Sequence, residues 1–168
     1  MGFYPVSQLQ PTSAVAATAA GGYPLTITGT TAATLALGGP SITPAAGMVF
    51  KFEAWGAITT TVDTQTINPI LYLGTTAQVI GSPGAVNPDS SAPVTGATIR
   101  FTGAVTFLTA TEASVSMQVD ANYYPSTILQ GTASGLSSAS GQLLALGIIP
   151  SANAVSVTIN GGYWQRIA

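Results

Sequence analysis

MVFKFEAWGAI, residues Met48 to Ile58, is the stretch that decides the fold. Met48, Phe50, Phe52 and Ala54 fall on one side of an extended chain, and Lys51, Glu53 and Trp55 on the other. Strict alternation of apolar and polar residues is the mark of a strand with one buried face. Working outward, INPILYLG (Ile67 to Gly74) follows a polar loop, Thr59 to Thr66, and carries Ile70, Leu71, Tyr72 and Leu73 without a break. An unbroken apolar run suits a strand buried on both faces or turned toward a neighbouring subunit, and Pro69 predicts an edge or a strand start.

Further along, Thr98 to Leu108 and Ala113 to Tyr124 form the longest predicted strand pair, joined tightly through Thr109 to Glu112. Ile99, Phe101, Gly103, Val105 and Phe107 share one face of the first; Val115, Met117, Val119 and Ala121 share one face of the second. Two matched period-2 strands read as a long hairpin. Near the end, Ala154 to Asn160 and Tyr163 to Ile167 flank Gly161-Gly162, a second predicted hairpin. Gly38-Gly39 reads as a turn in the same way. Shorter strands are predicted at Leu25 to Thr28, Ala33 to Leu37, Ala77 to Ile80 and Gln142 to Leu146. Residues 81 to 97 and 125 to 141, rich in Pro, Gly and Ser, read as long surface loops.

With 19 Gly and 11 Pro punctuating runs of Val, Ile, Thr, Phe and Tyr, the chain of 168 residues reads as one all-β domain. About eight to ten short strands joined by long excursions point to a jelly-roll type β-sandwich. Residues 1–30 are expected to form an extended N-terminal arm, and residues 31–168 the sandwich. Within the arm, the small uncharged run QPTSAVAATAAGG has no helical period.

Composition excludes whole classes of function. Only 5% of residues are charged, 3 basic and 5 acidic, against roughly 25% in an ordinary soluble domain, and the net charge is -2. Without His or Cys there is no Ser-His-Asp triad, no thiol nucleophile, no disulfide and no Cys- or His-ligated zinc. Three cations cannot neutralise a phosphate backbone, so no nucleic-acid partner is expected. The most apolar late stretch, Gln142 to Pro150, is far short of the roughly 20 residues that span a bilayer as a helix, so no membrane partner is expected either. The N-terminus MGFYPVSQLQ lacks the basic and apolar regions of a secretory signal, and we expect no export.

Glu53, Asp63, Asp89, Glu112 and Asp120 supply enough carboxylates for glycoside hydrolysis. Glu53 and Asp120 lie on the polar faces of strands, however, and read as solvated or ion-paired charge. With Lys51 on the same face and Arg100 on the outward face of the next long strand, cross-strand pairing, or pairing to another subunit, is the natural use. Asp63 and Asp89 show no calcium-loop spacing, and the glycine pairs carry no phosphate-loop Lys. No enzyme, no cofactor and no metal are expected. Phe50, Phe52, Phe101 and Phe107 read as core. Trp55 and Trp164, predicted to point away from it, read as interface anchors ahead of sugar platforms, as do Phe3, Tyr4, Val6 and Leu9 for docking the arm. Tyr123 and Tyr124 are further aromatic candidates for sugar stacking.

The segment Gly47 to Gly74 resembles a signature of small jelly-roll proteins found on tailed-bacteriophage virions. There, a strand of the type G-x-x-F-x-F-x-A-x-G precedes a Ser/Thr loop and an L-x-L-x-L-G-like strand. Gly47, Phe50, Phe52, Ala54 and Gly56, then Leu71, Leu73 and Gly74, occupy the corresponding positions. The resemblance implies a non-catalytic capsid decoration or minor capsid protein, made in the host cytoplasm and carried on the outer surface of the virion. The partners it implies are the major capsid protein and further copies of the chain, in a homotrimer. The alternative is a tail or fibre domain that binds host surface carbohydrate.

Overall fold

The computed structural model describes residues 12–16, 23–28, 34–60, 65–74, 76–79, 84–87, 94–121, 124–150 and 155–168. Among them lie twelve strands: β1 (Thr12–Ala16), β2 (Leu25–Thr28), β3 (Thr34–Ile42), β4 (Val49–Thr60), β5 (Gln65–Leu73), β6 (Thr76–Val79), β7 (Gly84–Asn87), β8 (Val94–Phe107), β9 (Glu112–Ala121), β10 (Tyr124–Ser134), β11 (Gln142–Pro150) and β12 (Val155–Arg166). They form two antiparallel sheets. The larger has seven strands in the order β1-β12-β4-β8-β9-β10, with β2 also on β12; the smaller has five in the order β3-β11-β5-β6, with β7 also on β5.

The order is that of a jelly roll. Counting β2, β3, β4, β5, β6 with β7, β8, β11 and β12 as successive strands, the first, eighth, third and sixth lie side by side in one sheet. The second, seventh, fourth and fifth lie side by side in the other. The hairpin partner β9 and then β10 are inserted between the sixth and seventh strands and widen the larger sheet.

The two inner faces meet in one core. Phe50, Phe52, Ala54 and Ile58 of β4, Ile99, Phe101, Val105 and Phe107 of β8, and Val115, Met117 and Val119 of β9 enter it from the larger sheet. Leu37 of β3, Ile67, Leu71 and Leu73 of β5, and Leu144, Leu146 and Ile148 of β11 enter from the smaller. The alternation in Met48 to Ile58 is thus realised along β4, whose residues switch between buried and open along its whole length. β11 is buried on both faces from Leu144 to Ile148, and in β5 Ile70, Leu71 and Leu73 are buried while Tyr72 is half-buried.

Several local expectations are corrected. Residues 125 to 141 are not one loop, because Tyr124–Ser134 is a strand paired along β9 from Val119 to Glu112. Gly38-Gly39 is not a turn but the middle of β3. β5 is not an edge strand: it pairs with β11 on one side and with β6 and β7 on the other. On that second side pairing covers Gln65–Ile67 and resumes at Ile70, so Pro69, which has no N–H to give, falls in the gap between the two short strands. Of the expected arm, Thr12–Ala16 and Leu25–Thr28 pair with the two halves of β12, and Ile27 enters the core.

The largest correction concerns the C-terminal strand. Val155–Arg166 is one strand, not a hairpin, and it runs antiparallel to β4 throughout. Its register shifts between Ile159, opposite Gly56, and Gly161, opposite Trp55, leaving Asn160 as an extra residue. A bulge of this kind reverses which side chains point inward beyond it. Val155, Val157 and Ile159 are buried before the bulge, and Trp164 after it. Trp164, expected on the outward face as an interface anchor, is therefore fully buried. Its ring lies 4.8 Å from that of Phe52, and its Nε1 donates to the carbonyl of Leu37 at 3.4 Å. Gly39 leaves it room: an ideal Cβ there would stand 2.8 Å from Trp164 Cδ1.

Candidate functional site

The same bulge that turns Trp164 inward turns Tyr163 outward, onto the open face of the larger sheet. Tyr163 stands opposite Glu53 in the β4–β12 register, and its hydroxyl donates to Glu53 Oε2 at 3.0 Å. From the other flank Arg100 of β8 reaches Glu53 Oε1 at 2.8 Å. Arg100 in turn faces Asp120 across the β8–β9 register, and Asp120 accepts the side-chain amide of Gln118 at 2.9 and 3.2 Å. Four strands thus contribute to one polar network over two neighbouring rows, joined by the diagonal cross-strand pair of Glu53, opposite Thr102, and Arg100, opposite Trp55.

Electrostatics fixes the state of these groups. The hydrogen bond from Arg100 holds the Glu53 carboxyl below its usual range, opposed by partial burial and reinforced by Tyr163. The hydrogen bond that its own hydroxyl donates to Glu53, and then burial, push the Tyr163 phenol above its ordinary value. At neutral pH the site therefore holds an ionised carboxylate and a protonated phenol. A carboxyl of lowered pKa is a poor general acid and a phenol of raised pKa a poor general base. The arrangement is built to accept and donate hydrogen bonds.

Of these side chains Glu53, Gln118 and Tyr163 border, together with Lys51, Gln130 and exposed Ile128, a shallow depression of about 460 Å³ that crosses β12, β4, β8, β9 and β10. Next to it along β4, Trp55 is 41% exposed. It stands opposite Gly161, and the indole edge through Nε1, Cε2 and Cζ2 takes up the space a side chain at 161 would need, with Cζ2 2.8 Å from an ideal Cβ. Trp55 thus points outward as its alternation predicts.

A second surface lies at one end of the sandwich. β4 begins there, β8 and β12 finish there, and the loops 43–48, 108–111 and 135–141 close it. Backbone hydrogen bonds tie it together: Phe107 N to Met48 O at 2.9 Å, Ile167 N to Val49 O at 2.8 Å, Leu136 N to Thr111 O at 3.0 Å and Gly74 N to Leu143 O at 2.8 Å. Leu108, Leu143 and Ile167 project from this end, 49%, 38% and 37% exposed. The sequence patterns missed them, because each sits at or just beyond a strand end where alternation no longer assigns a face.

Phe3, Tyr4, Val6, Leu9, Asp63, Asp89 and Tyr123 lie outside the described residues, as does the side chain of Tyr124. Glu112 lies at the start of β9, away from the Glu53 row. Among the described residues no three acidic side chains gather as a metal site would require.

No family model matches the chain, and no curated protein matches it either. Among solved structures it is similar to the marine PL-14 alginate lyase from Aplysia kurodai, at 9% identity and a TM-score of 0.41, over 88% of this chain and 85% of that one. At that TM-score the likeness bears on neither mechanism nor substrate.

Proposed function

We propose that this jelly roll is a structural virion protein, a bacteriophage capsid decoration or minor capsid protein that binds the outer surface of the head and performs no catalysis. The observation that carries the reading is the apolar end. Leu108, Leu143 and Ile167 project from a single end of a protein with eight charged residues in 168. Exposed apolar side chains gathered in one region mark an association surface. So few charges leave little long-range repulsion to keep copies, or copy and shell, apart. The resemblance of Gly47 to Gly74 to phage virion jelly rolls supplies the partner, the major capsid protein.

In this reading the end seats on the shell and the chain self-associates into a trimer, so that three modest contacts act together. The test is reconstitution on purified heads stripped of the protein, with occupancy counted by cryo-electron microscopy. Wild type is expected to fill ordered positions on the head. The double variant Leu108→Asn with Ile167→Asn is expected to leave them largely empty. Absence of the wild type from the head, or the same occupancy for both proteins, overturns the assignment.

A further inference from the structure

We propose that the open face of the seven-stranded sheet is a binding site for a neutral oligosaccharide, with Trp55 as its stacking platform. The inference does not rest on the shell reading and uses a different surface.

Shape is the first argument. The depression is an open trough across five adjacent strands. At the usual strand spacing, β12 and β10 lie about 19 Å apart, room for an extended tri- or tetrasaccharide. An open trough admits a ligand that continues past both margins, as a polymer does and a compact metabolite does not.

The chemistry of the lining is the second. Lys51, Glu53, Thr102, Gln118, Gln130 and Tyr163 offer ammonium, carboxylate, hydroxyl and carboxamide groups. A sugar hydroxyl both donates and accepts, and planar groups such as carboxylates and carboxamides match vicinal hydroxyls two at a time. Glu53 is held by Arg100 and Tyr163, and Gln118 by Asp120, so these groups are oriented before a ligand arrives and less rotamer entropy is lost on binding.

Charge selects the class of ligand. Two cations, Lys51 and Arg100, balance two carboxylates, Glu53 and Asp120, so the face has no net charge to draw an acidic polysaccharide or a phosphate backbone. A protein interface of comparable extent would place its aromatic and aliphatic anchors at a dry centre. Here polar side chains from five strands surround a recessed floor that is partly apolar, with Ala104 and exposed Ile128 among its lining and Trp55 beside it, a mixture that suits the alternating C–H and hydroxyl faces of a sugar.

Trp55 is the third argument. An exposed indole on an otherwise hydrophilic strand face needs a use, and its position is secured by the missing side chain of Gly161. It is two residues along β4 from Glu53 on the same face, about 7 Å away. An aromatic ring at that distance from fixed hydrogen-bonding groups meets the apolar C–H face of a sugar while its hydroxyls reach the row.

The test is a glycan array of neutral and acidic oligosaccharides, followed by calorimetric titration of the best-retained neutral glycan. Wild type is expected to retain neutral linear glycans, and Trp55→Ala to weaken binding about tenfold or more. Thr102→Trp, which fills the trough and leaves Trp55 in place, is expected to abolish it, and Leu108→Asn to leave it unchanged. Retention of no neutral glycan, retention of acidic glycans alone, or undiminished binding by both Trp55→Ala and Thr102→Trp overturns the proposal. So does loss of self-association in Trp55→Ala without any glycan binding by the wild type, which would make the face a protein interface.

Discussion

Trp55 and Gly161 stand opposite one another across β4 and β12, and the indole occupies the space that any side chain at position 161 would need. The pair sits at the bulge created by Asn160. One inserted residue thereby does three things: it seats Trp55, sends Tyr163 out to Glu53, and sends Trp164 into the core.

The two tryptophans should therefore differ sharply in what their removal costs. Trp164→Ala empties a fully buried site against Phe52 and is expected to cost about 3–5 kcal/mol. Trp55→Ala, at a 41% exposed site, is expected to cost less than about 1 kcal/mol. Urea denaturation of the two variants measures both, and equal losses would contradict the assignment of faces.

Gly161→Ala is expected to destabilise by about 1–3 kcal/mol, because the new methyl group must displace the Trp55 ring or the backbone beneath it. The double variant Gly161→Ala with Trp55→Ala should recover much of that loss, since the obstructing ring is gone. A double-mutant cycle by thermal unfolding reads the coupling directly.

Asn160 is the unpaired residue of the bulge, so its deletion is expected to keep the register and facing of Gly161 to Arg166 against β4, with Gly161 following Ile159 directly opposite Trp55. Tyr163 then stays opposite Glu53 and Trp164 opposite Phe52. Near-ultraviolet circular dichroism and tryptophan fluorescence check this: a native spectrum is expected for the deletion, and a red-shifted emission, which would mean that Trp164 has left the core, would contradict the register.

The Glu53 pair gives a pH dependence of defined sign. Its carboxyl titrates below the ordinary 4.5 in the folded protein, so the stabilisation is fully present above that value and is lost as pH falls through the lower folded pKa. Arg100→Gln should raise the Glu53 titration toward 4.5, as followed by carboxyl carbon NMR. Because Arg100 is more than half exposed, the accompanying change in stability is expected to be small.

Attachment to the shell through the apolar end should survive high salt. Co-sedimentation with purified heads is expected to retain the wild type equally in dilute buffer and in about 1 M NaCl, where charge interactions are screened within roughly 3 Å. Release of the wild type on adding salt would assign the contact to ions instead, and Leu108→Asn with Ile167→Asn should fail to co-sediment in either buffer.

Local pattern determined a great deal. The alternation in Met48 to Ile58 and the matched strands from Thr98 to Ala121 were enough for an all-β sandwich, because period-2 burial is a property of a few consecutive residues. The same alternation placed Phe50, Phe52, Phe101 and Phe107 inside and Lys51, Glu53, Trp55 and Arg100 outside, and the choice of a jelly roll followed from strand number and spacing. What only the tertiary structure decided is whatever depends on a partner strand. Glycine pairs at 38–39 and 161–162 read as turns in isolation, yet they lie within strands, where Gly39 makes way for Trp164 and Gly161 for Trp55. Tyr124–Ser134 carries turn-forming residues that a neighbouring strand holds extended. The bulge at Asn160 has no local signature at all, since it exists only because the twelve residues from Val155 to Arg166 lie against the eleven from Phe50 to Thr60, and on that mismatch depends which residues face the trough.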